Sequence, residues 1–305
     1  MSIFDWEDIM KDICTATLLA CTAGISGCVG THAPTAGTPQ QVAIAFEVLA
    51  NGQPARCGKP LGPLGRDARP ALLRDAKFYV QDVALVDADG KRTPISLSVN
   101  DWQNEQVALL DFEDATGNCT GGTPATNMVV TGTVPAGRYT GLAFTVGVPQ
   151  ALNHTSTELE RPPLDIVAMG WSWQAGRKFA KIEIDPQGSV SKADGSRSAS
   201  WYVHLGSTGC VGNPLTGGTV SCQHSNRIPL LMDRFDPTTQ RVVLDLASLF
   251  QDSRISEDRG GAVGCMSGPT DPECQPIFGR LGLSLDERVP VTQGRSAVFT
   301  VGAKP

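Results

Sequence analysis

The 305-residue sequence has few charges and few aromatics, 18% and 6%. It carries no run of lysine or arginine and a formal net charge of −6, so electrostatics gives no reason to expect a nucleic-acid partner. A GxSxG elbow, a P-loop and an HExxH pair are all missing, which removes the motif-bearing hydrolase and nucleotide-binding classes. There is no CxxC pair and no CxxCH, so a thiolate metal site is disfavoured and the chain carries no c-type haem of its own. Asp87-Ala88-Asp89-Gly90 begins like a calcium loop, but the distal Glu is missing and the segment reads as a hairpin turn. Histidine is scarce: His32, His154, His204 and His224.

Glycine and proline are plentiful, at 33 and 21, and 41% of residues are hydrophobic. That balance predicts a turn-rich all-β fold with a real core. Val42, Ile44 and Phe46 alternate as a first strand. Residues 51–75 read as a Gly/Pro/Arg-rich loop. Phe78 to Val86 and Thr93 to Val99 flank the Asp87–Gly90 turn, and Met128 to Val134 and Tyr139 to Val148 flank Pro135-Ala136-Gly137. Further strands are predicted at 107–112, 179–184, 199–205, 227–231, 241–246 and 296–301. Short helices are predicted at 247–252 and 277–281. The expected fold is one antiparallel β-sandwich or flattened barrel with long loops.

The first residues have a different character. Met10-Lys11-Asp12 precedes a small, apolar run ending in Ile25-Ser26-Gly27-Cys28, which reads as a secretion signal with a lipoprotein-type cleavage site. The domain plan is therefore a signal over 1–28 with Cys28 lipidated (its true start at Met10, and Cys21 the alternative anchor), a flexible tether over 29–41, and a β domain over 42–305. Export agrees with the cysteines. Apart from Cys14, Cys21 and Cys28, six remain, an even number that reads as three disulfides. Short loops closed by Cys210–Cys222 and Cys265–Cys274, with Cys57–Cys119 joining two distant hairpins, is the expected pairing.

His32 falls in the tether, which leaves His154, His204 and His224 as possible ligands. In Met169-Gly170-Trp171-Ser172-Trp173 a strand would point residues 169, 171 and 173 to one face, where a core stripe competes with a thioether and an aromatic shared with a histidine. Imidazole and thioether together suit copper, Cu(I) in particular. His204 alternates away from Trp201, Val203 and Leu205, which look core-facing; that placement is awkward for a ligand unless His204 lines a pocket under the loop holding His154.

Trp171-Ser172-Trp173-Gln174, Phe78-Tyr79-Val80, Ala108 to Glu113, Gly132 to Tyr139, Asn153-His154, His204 to Cys210 and Cys265 to Pro269 together resemble the metallo-mystery-pair four-cysteine-motif family of MbnP-like, methanobactin-associated proteins. The resemblance spans about residues 42–301. It departs at Arg177-Lys178-Phe179, where an aromatic is expected before the lysine, and in having six mature cysteines. It implies a periplasmic or outer-membrane-anchored copper protein that is not itself an enzyme. A di-haem MauG-like peroxidase partner would oxidise the first tryptophan of the WxW motif, Trp171, to kynurenine. An indole N–H can only donate, whereas kynurenine carries an aryl amine that can bind metal. The expected ligands are then His154, His204, modified Trp171 and Met169, with Trp173 packed alongside. Two rivals remain at this point: a structural or carbohydrate-binding β-sandwich lipoprotein without metal, and a hydrolase built on Ser207 and His204.

Overall fold

The computed structural model describes residues 38–172, 175–213, 220–285 and 296–305. The leader with Cys28, most of the tether with His32, and Trp173 lie outside the described residues. No helix among the described residues is long and apolar enough to cross a membrane.

Two sheets carry the fold. One runs in the order Phe299–Ala303, Gln240–Asp245, Gln40–Ala50, Val129–Val134, Ser96–Leu97. The other runs Trp201–Leu205, Ala180–Pro186, Arg69–Val86, Gly141–Val146, Ile228–Met232. Phe46 and Phe299 of the first sheet meet Phe78 and Phe144 of the second with ring centroids 5.6 to 6.3 Å apart, edge to face. This geometry sets the positive edge of one ring on the negative face of the next. Among the described residues neither sheet closes on itself, so the fold is a sandwich and not a flattened barrel.

The long Arg69–Val86 strand shows why both of its faces are buried. Ala76, Phe78 and Val80 face the aromatic core, and Asp75, Lys77, Tyr79 and Gln81 alternate to the other side. The predicted 51–75 loop is shorter than expected. Gln53–Pro54 pairs back with Leu49–Ala50, and Pro60–Leu64 pairs with the start of the long strand, with Pro60 and Pro63 on an edge strand that needs no donor there. The first strand begins at Gln40, inside the expected tether, and pairs parallel with Gln240–Asp245, a departure from the antiparallel expectation. The predicted 93–99 strand splits at Ile95: Arg92–Pro94 stays in one sheet and Ser96–Leu97 joins the other. Helices Leu246–Phe250 and Cys274–Leu281 lie where short helices are predicted, the first capped by the Asp245 carboxylate, which accepts from the N–H groups of Ala247 and Ser248.

All three disulfides have the expected pairing, Cys57–Cys119, Cys210–Cys222 and Cys265–Cys274. The first closes a separation of 62 residues, for which loop entropy alone is worth about 4 kcal/mol.

Candidate metal centre

Trp171 sits in the short strand Gly170–Ser172, which pairs with Gly176–Arg177 to make a hairpin over the edge of the second sheet. Two cavities meet at its indole. One is lined by His154, Leu159, Val167 and Gly176, the other by Ser207, Cys210 and Met266. The His204 ring lies 6.3 Å from the indole, tilted toward its edge. The indole reaches this position because residue 206 is glycine: a Cβ there would stand 2.7 Å from Trp171 Cζ3 and 3.0 Å from the Arg177 carbonyl oxygen.

His204 lies in Trp201–Leu205, opposite Lys181 of the neighbouring strand. It is buried, and its Nε2 donates to Glu183 Oε1 at 2.8 Å. Burial, with Lys178 and Lys181 nearby, pushes the imidazole below its ordinary value against the pull of Glu183. Burial would raise Glu183, but the His204 bond and Lys181 outweigh it and hold the carboxylate down at about 2. A neutral imidazole donating from Nε2 keeps its lone pair on Nδ1, the state a metal ligand needs. The backbone here is also fixed: Ser267 Oγ donates to the His204 carbonyl at 2.9 Å and accepts from the Gly206 N–H at 3.1 Å.

Glu183 begins a buried ionic seam that the sequence reading missed. Lys181 Nζ reaches Glu183 at 3.0 Å and also contacts Asp75. Lys77 Nζ lies 3.2 Å from Asp75 and 3.3 Å from Asp111, and contacts Glu113, whose side chain has no exposure. The signal was present as alternation. Asp75 and Lys77, and Lys181 and Glu183, occupy every second position of two adjacent strands, so both pairs face one side.

His154 follows the helical turn Gln150–Asn153 and is buried. Its Nε2 lies 3.0 Å from Asn153 Nδ2 and 3.4 Å from Cys222 Sγ. Arg177, the departure from the expected aromatic, has a structural task here. Its buried guanidinium donates to the carbonyls of Leu164 and Leu152 and to Thr155 Oγ1, and its backbone N–H donates to Asn153 Oδ1. The loop carrying His154 is thereby tied to the Trp171 hairpin. Gly176 permits the contact, because its φ of +79° and the Asn153 side chain 2.6 Å from a would-be Cβ leave room for no other residue. Lys178 Nζ donates to the carbonyls of Ala168 and Gly170 and stands 6.0 Å from the Trp171 ring.

Met169 does not share the face of Trp171. It closes a 3-10 turn, Val167–Met169, so the strand alternation starts only at Gly170, and its side chain is fully buried in the core. The thioether lining a cavity with Trp171 belongs to Met266. His224 lies on the Ser221–His224 strand opposite Thr208. The Ser207 hydroxyl donates to the Ser225 carbonyl at 2.9 Å and so serves as a loop tie.

These features define a disulfide-stapled β-sandwich protein with an indole, imidazoles and a thioether gathered at one edge. Residues 39–267 match the MbnP family, and the chain belongs to that family. A solved structure, MbnP from Methylosinus trichosporium, is similar at 50% identity and a TM-score of 0.84, with 88% of this chain and 100% of that chain covered. Comparison with curated proteins finds no match. The family is linked to copper and methanobactin.

Proposed function

We propose that the chain is an exported copper carrier that holds one Cu(I) ion at the Trp171 edge after Trp171 has been oxidised to kynurenine. The observation that carries this is the convergence on one indole of His204, a cavity lined by His154 and a cavity lined by Met266. The donors fit the metal, since imidazole and thioether favour soft Cu(I). They fit it incompletely while Trp171 is intact, because an indole N–H offers no lone pair. Oxidative cleavage of the C2–C3 bond, with C2 leaving as formate, gives an aryl amine and a ketone in the same place. Two peroxides activated at the partner's haem each supply one oxygen atom and leave the other as water, and a further water hydrolyses the N-formyl group to release the formate.

His204 would offer its Nδ1 lone pair to the metal, because Glu183 fixes the Nε2 proton. His154 is held by the Asn153 and Arg177 network, and Met266 contributes the thioether in place of the core-packed Met169. The chain is the substrate of a di-haem MauG-like partner and not itself an enzyme. An apolar rim supports docking of that partner, since Leu159 and Val167 are 87% and 75% exposed beside the cavity shared with Trp171. Lipidation at Cys28 would place the carrier in the periplasm, anchored to the outer membrane. Co-expression with the partner tests the reading. Copper should appear at one ion per chain only with the partner present, and loss of His204 should abolish it. A metal-free structural or carbohydrate-binding module would take up no stoichiometric copper under either condition.

A further inference from the structure

The three disulfides do not share one environment. Cys57, Cys119, Cys265 and Cys274 are all buried, whereas Cys210 and Cys222 are each partly exposed. Cys210 and Cys222 sit directly opposite each other on a two-stranded ribbon, Thr208–Val211 with Ser221–His224, outside the two main sheets. His154 lies against this pair. Its imidazole nitrogen and both sulfurs all fall within 4.8 Å of one another, close enough for one ion to reach all three at bond lengths like those of zinc to sulfur and nitrogen, roughly 2.0–2.3 Å.

We infer that the Cys210–Cys222 disulfide is a removable lock on a second Cu(I) site, formed by the two thiolates and His154 when the disulfide is reduced. In the oxidised chain each sulfur is committed to the other and neither is a thiolate. An external dithiol donates two electrons: the S–S bond breaks, two cysteine thiols form, and the dithiol closes to its own disulfide. Binding of Cu(I) then displaces both thiol protons. The Nε2 lone pair that now faces Asn153 Nδ2 and Cys222 turns to the metal. Two thiolates and an imidazole form a soft, three-coordinate set suited to Cu(I). Accessible disulfides are the ones reduced first, so this pair opens while the buried four cysteines stay paired.

The site does not depend on oxidation of Trp171, and it draws on His154, which the kynurenine site also needs. The two sites therefore compete, and reduction moves copper from one to the other.

The test uses the full chain made without any haem partner, so Trp171 is intact. The protein is treated anaerobically with dithiothreitol under native conditions, and thiols are mapped by alkylation and peptide mass spectrometry. Cu(I) is then titrated against a chromogenic Cu(I) chelator. Alkylation should fall on Cys210 and Cys222 first. The reduced chain should gain one Cu(I), with thiolate-to-copper absorption in the ultraviolet, and the oxidised chain should gain none. His154→Ala should weaken this copper by about tenfold or more, the scale on which even an outer partner of a ligand matters. Trp171→Phe should leave it unchanged, which separates this site from the kynurenine site. Cys210→Ser with Cys222→Ser should remove it while the core disulfides keep the fold. Equal copper uptake by reduced and oxidised chains, or by the double serine variant and the parent, would overturn the inference. So would alkylation of the four buried cysteines ahead of this pair.

Discussion

The two faces of the Arg69–Val86 strand are equally buried and chemically opposite. On one, Phe78 packs among Phe46, Phe112 and Phe299. On the other, Asp75 and Lys77 belong to a chain of charges running through Lys181 and Glu183 to His204. The apolar face joins the two sheets and involves no residue of the Trp171 edge. The ionic face contributes to stability only as a complete set, since each charge is tolerated by its neighbour. Its end is where an imidazole is held neutral beside the indole. Folding and the proposed metal site are thus served by opposite faces of one strand.

Substitutions at neighbouring positions of that strand should have the largest effects. Phe78→Ala should cost about 3–5 kcal/mol by urea unfolding, and in folded protein leave copper stoichiometry intact. Lys77→Met should cost a similar 3–5 kcal/mol, because it strands Asp75, Asp111 and Glu113 without their shared cation. If Lys77→Met were as mild as an exposed-charge change, the seam would not be a coupled set.

A smaller effect should appear at the end of the seam. Glu183→Gln should lower Cu(I) affinity by about 10–100-fold and shift the metal's spectroscopic signature, with the fold retained. An unchanged affinity would detach the seam from the site.

The seam also predicts a pH signature. Burial pushes Asp111 up to about 7 from 3.8, with Glu113 and Asp75 adding to it against Lys77. The folded chain thus holds this proton more tightly than the unfolded one, so the contribution is favourable below pH ~4 and lost as pH rises through about 7. Asp111→Asn should therefore raise Tm relative to the parent more at pH 8 than at pH 4. The reverse order would remove Asp111 as the proton holder.

The smallest effects should separate the two methionines. Met169→Leu, a volume-conserving change in the core, should cost under about 1.5 kcal/mol and leave copper untouched, whereas Met266→Leu should weaken copper and spare stability. The opposite result would restore Met169 as the ligand.

Much of the sandwich was legible because its strands alternate plainly, as in Val42-Ala43-Ile44-Ala45-Phe46, and because the turns at Asp87–Gly90 and Pro135–Gly137 carry their own chemistry. Short loops pointed to Cys210–Cys222 and Cys265–Cys274, and Cys57–Cys119 was expected to join two distant hairpins. What did not follow was non-local. The parallel pairing of the first strand with Gln240–Asp245 has no signal in either segment, and Glu183 is assigned to His204 only once two strands are in register. Met169 falls in the core because a 3-10 turn, ending two residues before Trp171, interrupts the alternation. Arg177 looked like a minor departure, yet it holds the loop that carries His154.

In the chain with its disulfides intact, copper binding is proposed to wait on the chemistry of one indole. Peptide mass spectrometry of the chain, purified with and without the proposed haem partner and paired with copper analysis of the same samples, tests it directly. Kynurenine at Trp171 should accompany copper, and intact tryptophan should accompany its absence. Stoichiometric copper on oxidised chains with an unmodified Trp171 would contradict the account.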